Sequence, residues 1–232
     1  LYYAFWDADG FNRSLNGWNT ANVTNMQGVF GYADRFNGAI SSWNTAAITN
    51  MAETFRDTLQ FNQNISNWNT SNVTNLFATF HNADAFNQSL TGWDTSKVTS
   101  MEYLFAYANS FNGDVSTWNT SLVTNMGQAF RDLPVYNRAM SSWNTGNVTN
   151  MYAMFYNSDS FNQSLAGWNT SNVTNMQHMF GQMQSFNSSL ANWNVGKVTN
   201  FSFMFEGSPA FNQNLDTWTF GTATNISMRQ MF

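Results

Sequence analysis

The sequence predicts a repeat solenoid built from 25-residue coils, each with a short parallel-sheet strand and a short helix. Phe or Tyr recurs every 25 residues from Phe11 to Phe211, and Asn follows it each time. Trp stands seven residues after each of these aromatics, and a second Phe column runs from Phe30 to Phe205. Self-similarity at a fixed period is typical of stacked repeats that share one continuous core.

The same period divides the chain. Residues 11–210 form full repeats, residues 1–10 form a partial repeat, and residues 211–232 form a divergent partial repeat with two additional residues before Phe232. We therefore expect one array over 1–232. Because the chain begins inside a copy without a polar capping repeat, we also expect the natural array to be longer.

The strand is predicted around Trp168, Asn169 and Thr170. Alternation along a strand would turn the Trp and Thr to one side and the Asn to the other. Strands of successive copies would pair about 4.7–4.9 Å apart. A single copy cannot bury its Trp and two Phe rings, so we expect the core to form only between copies.

The helix is predicted from residue 176 to residue 183. Apolar residues there follow the spacing i, i+3, i+4, i+7, which is typical of one helix face. Thr174 with Gln177 matches a capping box, so the Thr column from Thr24 to Thr224 is interpreted as helix caps. The helix has only about two turns and must dock to be stable.

The Asn column after the first aromatic is predicted to be a buried structural ladder, because a side-chain amide both donates and accepts hydrogen bonds. Its members are Asn12, Asn37, Asn62, Asn87, Asn112, Asn137, Asn162, Asn187 and Asn212.

Composition excludes several classes of function. Only 9 % of the 232 residues are charged, with a net charge of −5, so binding to a phosphate backbone is not expected. There is no cysteine, which removes thiolate chemistry. No apolar run approaches the roughly 18 residues of a membrane span. We predict no nucleic-acid partner and no direct membrane span.

No catalytic constellation is visible. His81 and His178 fall in different columns and are interpreted as exposed side chains rather than a dyad. The stretch from Asp7 to Gly10 resembles half of a calcium loop, but the remaining ligand spacing fails. We predict no enzyme, no cofactor and no metal site.

The strongest surface candidate is an uncharged row at the outward position of the predicted strand. It consists of Asn19, Asn44, Asn69, Asp94, Asn119, Asn144, Asn169 and Asn194, with Thr219 next in the column. The residues two positions away are mostly small. The row is either a contact surface for a glycan or protein, or a set of amides that only bond along the array.

A second surface varies from copy to copy. One of its columns holds Gly28, Glu53, Ala78, Tyr103, Gln128, Ala153, His178 and Phe203. The other holds Gly31, Arg56, His81, Ala106, Arg131, Tyr156, Gly181 and Glu206. A specific partner could recognise this surface, and drift on a solvated face would explain it equally well.

N-x-[ST] sequons recur with the repeat. The candidate glycosylation sites are Asn22, Asn72, Asn147 and Asn172 before Val-Thr, and Asn69, Asn119 and Asn169 before Thr-Ser. They are either acceptors in a secreted chain or by-products of the repeat.

The units "WNTSNVTNMQHMF" (168–180) and "FNQSLTGWDTSKVTSMEYLF" (86–105) resemble the BspA-like surface repeats, the group often labelled DUF285. The resemblance covers essentially the whole chain. It implies a leucine-rich-repeat-like fold and an extracellular or cell-surface location, and it brings no catalytic residues.

The resulting prediction is an extracellular or cell-surface scaffold for adhesion or protein–protein assembly. Its partners would be other surface proteins, glycans or copies of itself. Two alternatives stay open: a structural subunit that packs laterally into a fibre or sheath, and a binder of a repeating surface such as polysaccharide or ice.

Overall fold

Successive copies of the repeat are stacked in parallel, one directly after another. The computed structural model describes residues 1–223 and 225–232, so Thr224, the last member of the predicted cap column, lies outside the described residues. Parallel bridges join Asn25 to Asn50 and continue every 25 residues to Asn200. Each stacked copy is called a coil below. The stacking supports the solenoid interpretation, whereas kinship with leucine-rich repeats stays a prediction.

The divergent last copy keeps this stacking with a longer connection. Its bridge joins Asn200 to Ser227, a step of 27 instead of 25. Trp218 still donates its indole N–H to the Leu190 carbonyl, in the register of the other coils. The two additional residues therefore lie between Trp218 and Ser227.

The predicted helix and strand are both wrong. Residues 1–223 and 225–232 contain no α-helix, and their β pairing consists of the single-residue bridges alone. The stretch from Trp168 to Thr170 has no regular structure, and the bridge of that coil is at Asn175. The described residues therefore include no helix long and apolar enough to cross a membrane.

Alternating hydrogen bonds replace the helix in residues 176–183. Met176, His178 and Phe180 donate backbone N–H groups to carbonyls of the next coil, over 2.9–3.0 Å. Between them, Met179 donates to the Met176 carbonyl and Gly181 to the His178 carbonyl, which closes tight turns. Every second N–H thus binds a neighbouring coil instead of the carbonyl four residues earlier that a helix needs.

Two left-handed positions per coil produce this backbone. At both positions φ lies between 50° and 63°, apart from Ala153 at 48°. The first position includes Glu53, Ala78, Tyr103, Gln128, Ala153, His178 and Phe203. The second includes Tyr32, Asp57, Asn82, Tyr107, Asp132, Asn157 and Gln182. None of these residues is β-branched, and Asp and Asn, which tolerate left-handed φ, are frequent in the second column. A positive φ every few residues is incompatible with an α-helix.

The core consists of aromatic columns that run through the stack. Rings of the column from Phe11 to Phe211 lie 5.7–6.2 Å from their neighbours. Trp43 and Trp68 stack at 6.2 Å with an interplanar angle of 4°. Trp18, which has only the partial copy 1–10 before it, is 44 % exposed, whereas Trp68 is 2 % exposed. Neighbouring coils therefore supply the burial.

The Asn ladder forms, but the prediction that it is buried is wrong. Asn37 donates its N–H to the side-chain oxygen of Asn12, and the same bond recurs from coil to coil up to Asn212 and Asn187. Asn12 and Asn212 are exposed, and Asn62 is half-buried. The preceding aromatic turns into the core, so the next side chain turns outward.

The described members of the Thr column do not cap helices, because residues 1–223 and 225–232 form no helix. Thr174 donates both its N–H and its hydroxyl to the Thr149 carbonyl of the preceding coil, over 2.9 and 3.2 Å. The N–H of Gln177 is bound instead by the side-chain oxygen of Asn175. The exposed threonines form a second hydrogen-bonded row along the array.

Candidate functional site

The predicted outward row from Asn19 to Asn194, called the Asn19 row, is exposed in every coil. Each side-chain oxygen accepts the N–H two residues later, over 2.9–3.1 Å. This bond fixes the orientation of each amide. The exposed amides are therefore held in one conformation at the coil spacing.

Buried threonines fix the backbone under the Asn19 row. Thr20 donates its hydroxyl to the Asn44 carbonyl at 3.0 Å, and Thr170 donates to the Asn194 carbonyl at 2.9 Å. Asp94 is the one acidic member of the row. Hydrogen bonds from the hydroxyl and N–H of Ser96 hold the pKa of Asp94 below its usual range. The row is thus rigid, and all but one of its members are neutral.

The second, variable surface carries a pocket that the sequence did not indicate. Arg56, Phe77, Ala78, His81 and Tyr103 line a cavity of about 200 Å³, called the first pocket. These residues come from three successive coils. The column of Ala78 holds larger residues, such as Tyr103 and Gln128, in other coils.

A matching cavity, the second pocket, lies in the next three coils. It also measures about 200 Å³ and is lined by Arg131, Tyr152, Ala153, Tyr156 and His178. Each of these residues stands 75 positions after its counterpart in the first pocket, so the two linings occupy the same columns. The two pockets are equivalent sites three coils apart.

Both arginines are already paired with acids or amides. Arg131 donates to Asp132 and to Gln128, each over 2.8 Å, and its guanidinium lies over the rings of Tyr107 and Tyr156 at 5.4 and 4.9 Å. These contacts hold the guanidinium in place in the pocket wall. They also compensate its charge.

The first pocket repeats this arrangement. Arg56 donates to Glu53 over 2.9 Å and to Asp57 over 3.2 Å. Burial pushes the pKa of Asp57 upward, but the His81 ring, with its Nδ1 3.8 Å from the carboxylate, and hydrogen bonds from Asn82 and Arg56 outweigh it and hold that pKa below its ordinary value. Asp57 therefore stays ionised beside the guanidinium.

A family model described as "Mycoplasma protein of unknown function, DUF285" matches residues 1–101, 78–180 and 135–232. The chain belongs to the DUF285 family. This confirms the resemblance seen in the sequence. No curated protein and no solved structure matches the chain.

The two histidines of this DUF285 chain are separated, one in each pocket. The prediction that they are exposed is wrong, because both are half-buried. The ring of His178 stacks on Phe203 at 4.6 Å and 4°, and burial lowers the pKa of His178. Its Nδ1 is buried without a hydrogen-bond partner among the described residues. Within the same residues, no cluster of three His, Asp or Glu side chains could hold a metal ion.

The candidate glycosylation sites fall into two structural groups. The side-chain nitrogens of Asn72, Asn147 and Asn172 donate to backbone carbonyls of the preceding coil, over 2.7–2.9 Å. In the Asn19 row, by contrast, the side-chain oxygen accepts the hydrogen bond from the backbone N–H two residues later. Attachment of a sugar to nitrogen would therefore disturb the fold less at Asn69, Asn119 and Asn169. Asn22 is exposed.

A sequence signal for the pockets existed within the repeat. The triplet Phe-Arg-Asp occurs at 55–57 and again at 130–132, and Ala occupies positions 78 and 153 of one column. A search for a second period of 75 residues would have found both. The contact between residues of three coils could be recognised only from the structure.

Proposed function

We propose that this DUF285 chain is an extracellular or cell-surface repeat scaffold that mediates adhesion or protein–protein assembly. The observation that carries the proposal is the Asn19 row, in which seven Asn and one Asp, all exposed, recur at a fixed orientation in eight successive coils. A rigid row loses little conformational entropy when a partner binds it.

The chemistry of the row favours uncharged polar partners. Its amides can donate and accept hydrogen bonds, and only 9 % of the chain is charged. Such a surface suits the polar surface of another protein, the hydroxyls of a glycan, or a second copy of this chain. Because the row continues through the array, several weak contacts act together.

A second candidate function is binding of a repeating surface such as polysaccharide or ice, or lateral packing into a fibre. It is favoured by the Thr row, since threonines from Thr24 to Thr199 are exposed in every coil at the same spacing as the Asn19 row. Ice binding would be recognised by thermal hysteresis of the purified chain, and fibre formation by filaments in electron micrographs.

The scaffold function is tested by placing bulky cations in the row. Purified chain with Asn69→Lys, Asn119→Lys and Asn169→Lys is applied to arrays of extracellular proteins and polysaccharides. We expect the wild type to be retained on defined spots and the triple variant to lose that retention.

The matched control carries the same charge change on another part of the coil. Gln60→Lys, Ser110→Lys and Ser185→Lys alter exposed positions in a column where Arg35 occurs naturally. This control variant should bind like the wild type. Equal retention of the two lysine variants would show that the Asn19 row is not the contact surface.

A further inference from the structure

We propose that the two pockets of the variable surface bind ring units of one neutral polysaccharide chain that runs along the array. This inference goes beyond the scaffold function, because it concerns another part of each coil and a defined ligand class.

The size of each pocket fits a single ring. Sites for drug-sized molecules measure roughly 300–1,000 Å³. Each pocket here measures about 200 Å³, which suits one sugar ring or one side chain. Ala78 and Ala153 each line one pocket, and the same column holds Tyr103 or Gln128 in other coils. A longer side chain at this position would reduce the space in the cavity.

The walls combine apolar surface with polar groups. In the second pocket, the ring of His178 stands nearly perpendicular to those of Tyr152 and Tyr156, at 85° to each. Aromatic faces carry partial negative charge and attract the partly positive C–H groups of a sugar ring. Tyrosine hydroxyls and the guanidinium of Arg131 can then bind the hydroxyls at the ring edge.

The charges at the pockets favour a neutral ligand. Arg131 and Arg56 are each paired with an adjacent Asp, and Arg56 also with Glu53. A phosphate or carboxylate group would have to compete with these carboxylates and approach their negative charge. A neutral ring can use the remaining donors of the guanidinium without that cost.

The spacing of the pockets points to a polymer. They lie three coils apart, which corresponds to about 14 Å at the spacing of paired strands. The coil of Arg131 follows directly after the coil of Tyr103, so the two linings form one continuous strip. A polysaccharide repeats one ring at constant spacing and can fill both sites. A peptide would need two suitable side chains at one particular separation.

Filling the pockets tests the proposal. Ala78→Gln and Ala153→Gln insert the side chain that Gln128 already carries in the same column with positive φ, so both variants should fold. Cellohexaose, mannohexaose and xylohexaose are titrated calorimetrically. We expect at least one of these hexasaccharides to bind the wild type. Each single variant should weaken that binding at least about tenfold, and the double variant should abolish detectable binding.

Changing the distance between the pockets tests bridging. A copy of residues 11–35 inserted between Ser110 and Phe111 moves the pockets one coil further apart and places the counterpart of Tyr32 where Tyr107 lay beside Arg131. Affinity for the hexasaccharide should change, whereas affinity for the matching disaccharide should stay the same.

The outcomes separate this proposal from the scaffold function. The variant Ser110→Lys, which lies outside both the Asn19 row and the pocket linings, should bind the hexasaccharide like the wild type. If none of the three hexasaccharides binds, or if binding survives in the double Gln variant, the pocket proposal is wrong, whatever the array experiment shows. Loss of binding in Asn119→Lys with retention in the double Gln variant would assign sugar binding to the Asn19 row instead.

Discussion

Tyr136 shows how a single atom alters an otherwise uniform column. It occupies the position that Phe holds in the other coils, and its side chain is fully buried. Its hydroxyl has no hydrogen-bond partner in the described part of the chain, and burial raises the pKa of this phenol. Phe130 and Tyr136 lie 4.8 Å apart, compared with 3.9 Å for Phe105 and Phe111. The two rings therefore pack less closely in the coil that carries the hydroxyl.

Replacing Tyr136 by Phe should stabilise the protein. A buried, unpaired polar group destabilises the folded state by about 1–3 kcal/mol, and the substitution removes such a group. We expect the free energy of unfolding in urea to rise by about 1–2 kcal/mol. The converse change, Phe161→Tyr in the next coil, should lower it. A decrease for Tyr136→Phe would show that the hydroxyl is paired.

His178 should make stability depend on pH. Burial lowers its pKa, an effect opposed by Glu206 and reinforced by Arg131, whereas the unfolded chain titrates near 6.5. The unfolded state therefore binds more protons just below pH 6.5, and stability should fall as the pH drops through that range. Urea midpoints at pH 7.5 and 5.5 should differ less in His178→Gln than in the wild type. An unchanged difference would remove His178 as the cause.

At the scale of the coil, the left-handed positions decide the backbone. Gln182 has a φ of 59°, whereas the equivalent residue of the next coil is Gly207 at 65°. A β-branched residue is strongly disfavoured there, while Gly adopts this conformation without steric cost.

Two substitutions at Gln182 should therefore have opposite signs. We expect Gln182→Val to lower the free energy of unfolding by about 1–2 kcal/mol, and Gln182→Gly to leave it unchanged or raise it slightly. Chemical denaturation measures both. If this segment were helical, Val would be better tolerated than Gly, and the order would reverse.

At the scale of the whole molecule, stability is a sum over coils and their contacts. Deleting residues 186–210 removes one coil and leaves every column in register. Deleting only residues 186–198 removes half a coil and places polar residues in core columns.

The longer deletion should consequently do less damage. We expect the 25-residue deletion to unfold cooperatively in urea with a modestly lower midpoint. The 13-residue deletion should lose the cooperative transition or aggregate. Equal behaviour of the two proteins would contradict a core that depends on the 25-residue register.

Part of this architecture was readable from the sequence, as three columns show. The spacing of Phe, Trp and Asn set the copy boundaries and indicated which side chains share a column. It also located the two additional residues of the last copy. The repeated motifs indicated the resemblance to the DUF285 family. These features depend only on which residue types recur, and a period records that directly.

The sequence by itself determined the 25-residue period, the columns and the DUF285 membership. Only the tertiary structure decided the backbone within each coil, the exposure of the Asn ladder and the two pockets. The physical reason is that half of the N–H groups in residues 176–183 bind carbonyls of the adjacent coil. A periodic pattern of apolar residues fits both a helix and these turns, and only the neighbouring coil determines which one forms.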